Sequence, residues 1–436
     1  PPGVPETRAK QGGEVCARWA WTEGSVWTAR MLTALENGVK GGVWHSLIDK
    51  VYCRANLAAA WQKVQANGGA AGVDRQSIRH FAAHAEQHLD RLAEELRTNT
   101  YRPLALRRTY IPKPGSTEKR PLGIPAVGDR VVQGALRHVL EPIFEREFAH
   151  SSYGFRPQRR AQEALRHVNR LLRQGQVWVV DADLQRCFDS IPHAGLLARI
   201  RERVADGRVL ELVAPFLQAD VMEGLECWTP ITGTPQGGVI SPLLANIYLH
   251  GLDQQLAQHG LALVRYADDF VVLCPTEGEA RRALQVIESW TTAAGLTLHP
   301  TKTRLVDMGQ ARASFEFLGY RFYRTQAGRL SHWARDQSVR KLKDTLRRHT
   351  PRNSGHSLLA IIRRVNAVLR GWFSYFQHSN AHTFPPVDTW LRMRLRSILR
   401  RRRGRKGRGR GRDHHRWPNA YFAAQGLYSL VAAHAA

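Results

Sequence analysis

Four acidic residues offer the chain's most pointed chemistry. Asp181 and Asp183 close the run Val177-Trp178-Val179-Val180-Asp181-Ala182-Asp183, and Asp268 and Asp269 stand together between two apolar runs. Carboxylates are the hard oxygen ligands that Mg²⁺ takes, usually a few of them with substrate phosphates. Two such ions about 4 Å apart can clamp the attacking and leaving oxygens of an in-line displacement, which is what nucleotidyl transfer needs. An Asp-Asp pair is also a common plain turn, and in a strand Asp181 and Asp183 point to the same face. The residues alone leave open whether these acids are ligands, and which of the first two would join the pair.

The elements that must position them can be read around them. Val177–Val180 is β-branched and reads as a strand ending in carboxylates. Residues 261–266 and 270–274 are apolar, and read as a hairpin with Ala267-Asp268-Asp269 at its tip. If these strands are neighbours, the acids converge at one sheet edge. Between them Ser241-Pro242 reads as a helix start, with Ser at the N-cap and Pro at the first helical position, and Leu244, Ile247, Tyr248 and Leu252 then share a face. Upstream, helical spacing runs from Trp44 to Leu96 around a Gly-rich break at residues 68–74, and Tyr110–Gly115 reads as a strand entering a turn. Residues 1–44 show no clear period and are expected to be a poorly ordered lead-in. Strands and helices mix without strict alternation, which predicts an α+β class.

Charge narrows the partner. With 64 Lys+Arg against 37 Asp+Glu the chain carries +27, a field that draws in polyanions whatever the fold. Hydrophobic residues at 43% argue against wholesale disorder. The five cysteines are scattered and odd in number, which suits a reducing interior rather than a disulfide framework. No apolar run approaches a membrane span, and the start Pro1-Pro2-Gly3-Val4-Pro5 lacks an initiator Met and a signal peptide's apolar region. A cytoplasmic protein that makes no membrane contact is expected.

Several motifs, all in one order, carry a resemblance. Tyr266-Ala267-Asp268-Asp269 looks like the signature turn of reverse transcriptases. Asp183-Leu184-Gln185-Arg186-Cys187-Phe188-Asp189 resembles the first catalytic motif of the group II intron enzymes, and Thr234-Pro235-Gln236-Gly237-Gly238-Val239-Ile240-Ser241-Pro242 the next. Arg120–Pro125, Tyr153-Gly154-Phe155-Arg156-Pro157, His299-Pro300-Thr301-Lys302-Thr303 and Phe317-Leu318-Gly319-Tyr320 match others, so that the similarity spans about 45 to 380. The chain thus resembles group II intron-encoded reverse transcriptases with maturase function. That resemblance implies a right-hand polymerase: fingers and a palm with a small antiparallel sheet over 45–325, a helical thumb and maturase region over 326–390, and a basic Arg/Gly-rich extension over 391–436.

The resemblance also assigns roles. It implies two Mg²⁺ ions (or Mn²⁺) on Asp183, Asp268 and Asp269, with Asp183 preferred and Asp181 left as a solvated or supporting acid. Phe188 would lie under the incoming sugar and exclude a ribose 2′-hydroxyl, and Gln236 would border the nascent pair. Lys113 and Arg120, with Lys119 beside them, would grip the triphosphate of a deoxynucleotide. Lys302 would be an acid for the leaving pyrophosphate. Arg156 would touch the template or else cap a helix. The implied partners are an RNA template, namely a structured group II intron RNA, a DNA or RNA primer, and deoxynucleotides.

Past residue 335 the chain turns helical and basic. Arg363, Arg364 and Arg370 lie opposite an apolar face, and Ser374 stands where the family often has Asn. Between Arg392 and Arg412 there are 11 Arg and one Lys with no acid, including Arg401, Arg402 and Arg403. The alternating Gly residues there predict a stretch that stays flexible until RNA orders it. Many relatives end in an HNH endonuclease with paired cysteines. Here no cysteine follows Cys274, and His414-His415 cannot close a zinc site alone, so target cleavage is not expected. Two other readings share the same residues: an RNA-binding splicing factor that does not use its polymerase site, and a reverse transcriptase adopted by its host for defence or repair.

Overall fold

The computed structural model describes residues 15, 17–112 and 119–436. Two compact units divide the chain, the first running to Leu305 and the second from Val306 to Ala436.

In the first unit the elements come in the order α1 (Ala29–Asn37), α2 (Ile48–Tyr52), α3 (Arg54–Asn67), α4 (Ile78–Ala83), α5 (Ala85–Arg97), β1 (Leu106–Pro112), β2 (Lys119–Ile124), α6 (Val127–Glu145) and α7 (Ala161–Arg173). Next come β3 (Trp178–Asp183), α8 (Cys187–Ser190), α9 (His193–Arg201), α10 (Gly207–Leu217), β4 (Val221–Glu223), β5 (Glu226–Trp228), α11 (Ser241–Gln258), β6 (Ala262–Tyr266), β7 (Asp269–Cys274) and α12 (Glu277–Ala293). One core, continuous from Trp19 to Leu296, underlies them. Its spine is α6, buried on nearly every face although it carries Asp129, Arg130, Gln133, His138 and Glu141. Asp206 joins two helix starts: one carboxylate oxygen accepts from the Arg208 and Val209 amides of α10, the other from Leu47 and Ile48 at 2.7 and 2.9 Å.

Two sheets position the paired acids and Arg120. In one, of order β6-β7-β3-β8, with β8 (Arg304–Asp307) at its edge, β7 lies antiparallel between β6 and β3. The other, of order β2-β1-β4-β5, contains a parallel pair of β1 with β4. The α+β class expected from the sequence is what the chain adopts.

The second unit holds the antiparallel sheet β9 (Ser314–Phe317), β10 (Tyr320–Arg324) and β11 (Leu330–Ala334). The helices α13 (Asp336–His349), α14 (Leu358–Phe376), α15 (Pro385–Arg402), α16 (Arg412–Arg416), α17 (Asn419–Ala424) and α18 (Leu430–Ala435) complete it. Its own core runs from Leu342 to Leu430. No helix among the described residues is long and apolar enough to cross a membrane.

Four expectations need correction. The lead-in is not loose where it is described: Trp19, Val26, Trp27, Leu32 and Leu35 are buried, and the Trp27 indole donates to the His138 carbonyl at 2.9 Å. Its apolar residues are few and aperiodic, but several find the core. The unit boundary falls about twenty residues before 325, because β9–β11 pack with α14, where the Tyr320 hydroxyl donates to the Tyr375 carbonyl at 2.7 Å. Residues 391–436 are no separate extension, since Trp417, Phe422 and Leu430 share the core of α13–α15. Nor is the Arg/Gly tract free of the fold. The Gly409 amide donates to the Ser397 hydroxyl at 3.2 Å, and a Cβ at Gly409 would fall 2.7 Å from the Cβ of Arg396. Glycine lets this backbone lie on α15.

Candidate active site

The register of β3 on β7 does the decisive work. Trp178 pairs with Cys274 and, five residues on, Asp183 pairs with Asp269. Tyr266 of β6 pairs with the same Asp269, so Ala267 and Asp268 are the two residues of the connecting turn. Ala267 takes φ +60°, the left-handed value that tight hairpins require and that only glycine adopts without cost. Asp183, Asp268 and Asp269 therefore meet at one edge of the sheet, as the sequence predicts.

Electrostatics agree with that closeness. Burial pushes the Asp268 carboxyl above the usual range, and the Asp183 charge pushes it further; Arg120 and Arg265 pull it back. The Cys187 thiol below is pushed up to about 12, by burial first and then by Asp268, with Asp183 and Asp189 adding. The loop carrying His299–Thr303 lies along the end of β3, where the His299 amide donates to the Asp183 carbonyl at 2.7 Å. That contact brings the Lys302 ammonium to 2.6 Å from an Asp183 carboxylate oxygen. Asp181 is spoken for by Arg304 at 2.9 Å. Among the described residues no three His, Cys, Asp or Glu side chains already form a metal cage; as placed, Asp183 is turned to Lys302. The donor set at this edge is nonetheless all carboxylate, which suits a hard divalent cation.

Phe188 is half-buried on α8 and packs on the core, and its carbonyl accepts from the Thr234 amide at 2.6 Å. Gln236 donates to the Asp189 carboxylate at 3.1 and 3.2 Å, while its own carbonyl accepts from Gly123 of β2 at 2.7 Å. Gly237 takes φ +116°, and a Cβ there would come within 2.4 Å of the Gly123 carbonyl oxygen. The Pro-Gln-Gly-Gly turn thus lies directly on the strand that carries Arg120. Lys113 lies outside the described residues. Ser241 caps nothing: its hydroxyl donates to the Pro235 carbonyl at 2.7 Å and so closes this turn onto the start of α11.

Of the two readings of Arg156, the contacts match the helix cap. Its side chain is only 3% exposed and pairs with Glu145, the last residue of α6, at 2.7 Å; one terminal nitrogen also donates to the carbonyls of Ala149 and Ser152. It fastens a helix end and is unavailable to a template. By contrast Arg363, Arg364, Arg370, Arg401, Arg402 and Arg403 are exposed, with Arg370 over the Tyr428 ring at 5.6 Å and Arg403 over Trp417 at 5.7 Å.

The residues that the sequence reading missed lie beneath the turn. Arg265 is fully buried and grips Asp253 of α11 with two nitrogens, at 2.6 and 2.5 Å. A third nitrogen donates to the Asn246 side chain at 2.9 Å and to the Ala267 carbonyl at 3.0 Å. Asn246 in turn donates to the Gly154 carbonyl at 2.7 Å. A Cβ on Gly154 would stand 2.2 Å from the Ala267 nitrogen, so this glycine lies flat against the turn. The sequence signal was present, an arginine three residues before the paired acids and a glycine in a recognised motif, but only the fold reveals that they touch.

Comparison with known proteins gives the chain its family. A family model described as "Reverse transcriptase (RNA-dependent DNA polymerase)" matches residues 111–322, and one described as "Group II intron, maturase-specific domain" matches 339–417. Protein YkfC of Escherichia coli (strain K12) is 32% identical over 336 residues, covering 67% of this chain and 84% of that protein. Group II intron-encoded protein LtrA of Lactococcus lactis subsp. cremoris is 39% identical over 201 residues, 46% of this chain and 33% of its own length. The chain thus spans about a third of that relative. A telomerase structure from Candida albicans aligns at TM-score 0.43 with 14% identity over 74% of this chain and 60% of its own, too loosely to argue from. The chain belongs to the family of group II intron-encoded reverse transcriptases, with a right-hand polymerase fold and a maturase region.

Proposed function

We propose that the chain is an RNA-directed DNA polymerase that extends a DNA or RNA primer with deoxynucleotides along an RNA template, and that its second unit binds intron RNA as a maturase. The observation that carries the polymerase reading is the register pairing of Asp183 with Asp269, with Asp268 in the adjoining turn. Divalent ions, Mg²⁺ by preference and two by analogy with the reaction class, would be held by these three carboxylates and would supply charge stabilisation to the displaced oxygens.

The chain's own residues do the rest. Lys302, 2.6 Å from Asp183, would give a proton to the departing pyrophosphate. Arg120, whose charge reaches Asp268, offers a planar fork to the triphosphate, and Lys113 would add to it. Phe188 presents a ring beneath the sugar, and Gln236, anchored by Asp189, borders the new pair. Residues 45–305 would then form fingers and palm, and the membership of β9–β11 in the second unit supports reading them with the thumb and maturase part.

The test is primer extension on a generic RNA template with Mg²⁺ and deoxynucleotides, comparing the parent with Asp268→Ala. Extension should fall by about a hundred- to a thousandfold, as loss of a core electrostatic group commonly does. No extension by the parent, with tight RNA binding kept, would replace this reading by that of a splicing factor.

A further inference from the structure

Within the second unit, a cavity of about 300 Å³ opens between the end of α13, α15 and the Arg/Gly tract, lined by Arg347, Arg352, Trp390, Met393, Arg394 and Arg408, with Ser397 at its floor. That is far more than the ~15 Å³ a single water requires. Four of the seven lining residues are arginines and none is acidic.

Two of these cations, Arg347 and Arg394, are held in place. Arg394 donates to the Thr350 hydroxyl at 2.8 Å and to the Thr350 carbonyl at 2.7 Å, and Thr350 is buried. The Trp390 ring has Arg347 and Arg394 each 5.4 Å from its centroid, and Lys343 at 5.7 Å. Arg408 is delivered by its neighbour Gly409, which lies on α15 and donates to Ser397. Arg347 has an acidic partner, Asp344. The side chains of Arg352 and Arg408 have no ion pair or hydrogen bond among the described residues. The strain is visible: burial, and then the charges of Arg347 and Arg352, make the Arg394 guanidinium easier to deprotonate than usual. Clustered cations that the protein does not neutralise call for an anion, and guanidinium forks match phosphate oxygens.

We infer that this cavity is a phosphate-binding site that seats one backbone phosphodiester of a nucleic-acid strand, with Arg352, Arg394 and Arg408 as its donors and Trp390 as the ring against which Arg394 is held. The site makes the Arg/Gly tract part of a built pocket, not a diffuse tail. It rests on the nucleic-acid part of the proposed function and is independent of the polymerase site.

The experiment measures binding of a fluorescein-labelled hairpin RNA to the full chain across a salt series. Arg352→Glu/Arg408→Glu is compared with a reversal of two exposed arginines of the same unit outside the cavity, Arg329→Glu/Arg340→Glu. The cavity pair should weaken binding about tenfold more than the control pair, and lower the slope of log affinity against log salt by about one more. Equal losses from both pairs, or none from the cavity pair, overturn the site and leave only diffuse charge. Should the parent fail to extend primers, the binding comparison still stands, so the two readings fail separately.

Discussion

Two groups of arginines in this molecule behave in opposite ways. Under the acidic turn, Arg265 is buried with its charge matched by Asp253, and nearby Arg156 is matched by Glu145. Around the cavity of the second unit, Arg352 and Arg408 face an opening with no acid in it. Burying a cation is costly unless it is paired, so the first group is fixed by the fold's own economy. The second stays unpaired because water still reaches it. The contrast teaches that a net charge of +27 is not one property. Part of the positive charge is structural and already neutralised, and only the remainder is available to a polyanion.

The comparison can be broken most sharply at Arg265. Arg265→Met leaves Asp253 buried with only His250 beside it, at 3.7 Å, and should cost roughly 3–5 kcal/mol, read as a fall in the denaturation midpoint. Adding Asp253→Leu should restore most of that stability, yet primer extension should stay depressed because the Ala267 carbonyl has lost its donor. A double variant that extends at the parental rate removes the positioning role. Arg156→Ala should cost about 2–3 kcal/mol by orphaning Glu145, while the salt slope of RNA binding remains parental; a shallower slope would return Arg156 to the RNA-contacting group.

A buried base sharpens the same point with pH. Burial, then the charge of Lys63, lowers His138 to about 4 from 6.5; its ring nitrogens sit 2.8 Å from Lys63 and 2.8 Å from Asn56. The unfolded chain takes up this proton below about 6.5 and the folded chain only near 4. Stability is therefore full above about 6.5 and is lost as pH falls through that window, by about 1–3 kcal/mol. His138→Leu should flatten this limb of a stability-against-pH curve, and an unchanged limb would assign it to other groups. Smallest of all, Arg352→Glu should move stability by less than about 0.5 kcal/mol, since the side chain has nothing internal to lose; a larger change would place it among the structural arginines.

How much could be read in advance depends on the same physics. The acidic edge was legible, because β-branched runs ending in carboxylates and an Ala-Asp-Asp tip are local patterns. The sheet register that joins them needed only that the strands be neighbours. Arg156 was left open between template and helix cap because an arginine in a motif looks the same whether it faces Glu145 or a template. The lead-in was misread since Trp19 and Trp27 pack by contact with distant helices rather than by period. The cavity was invisible, as the whole of α14 and the first half of α15 separate Arg352 from Arg394, and the rest of α15 with a glycine turn separates Arg394 from Arg408. Position in sequence said nothing of their meeting.

The bare Cα of Gly154 against the Tyr266–Ala267 peptide has a practical corollary. Two stretches more than a hundred positions apart form a single moving part, so whoever wishes to retune this polymerase by redesigning the hairpin tip must redesign the glycine loop with it. Libraries that randomise either stretch alone will mostly sample misfits. Paired libraries would explore turns that the existing fit forbids.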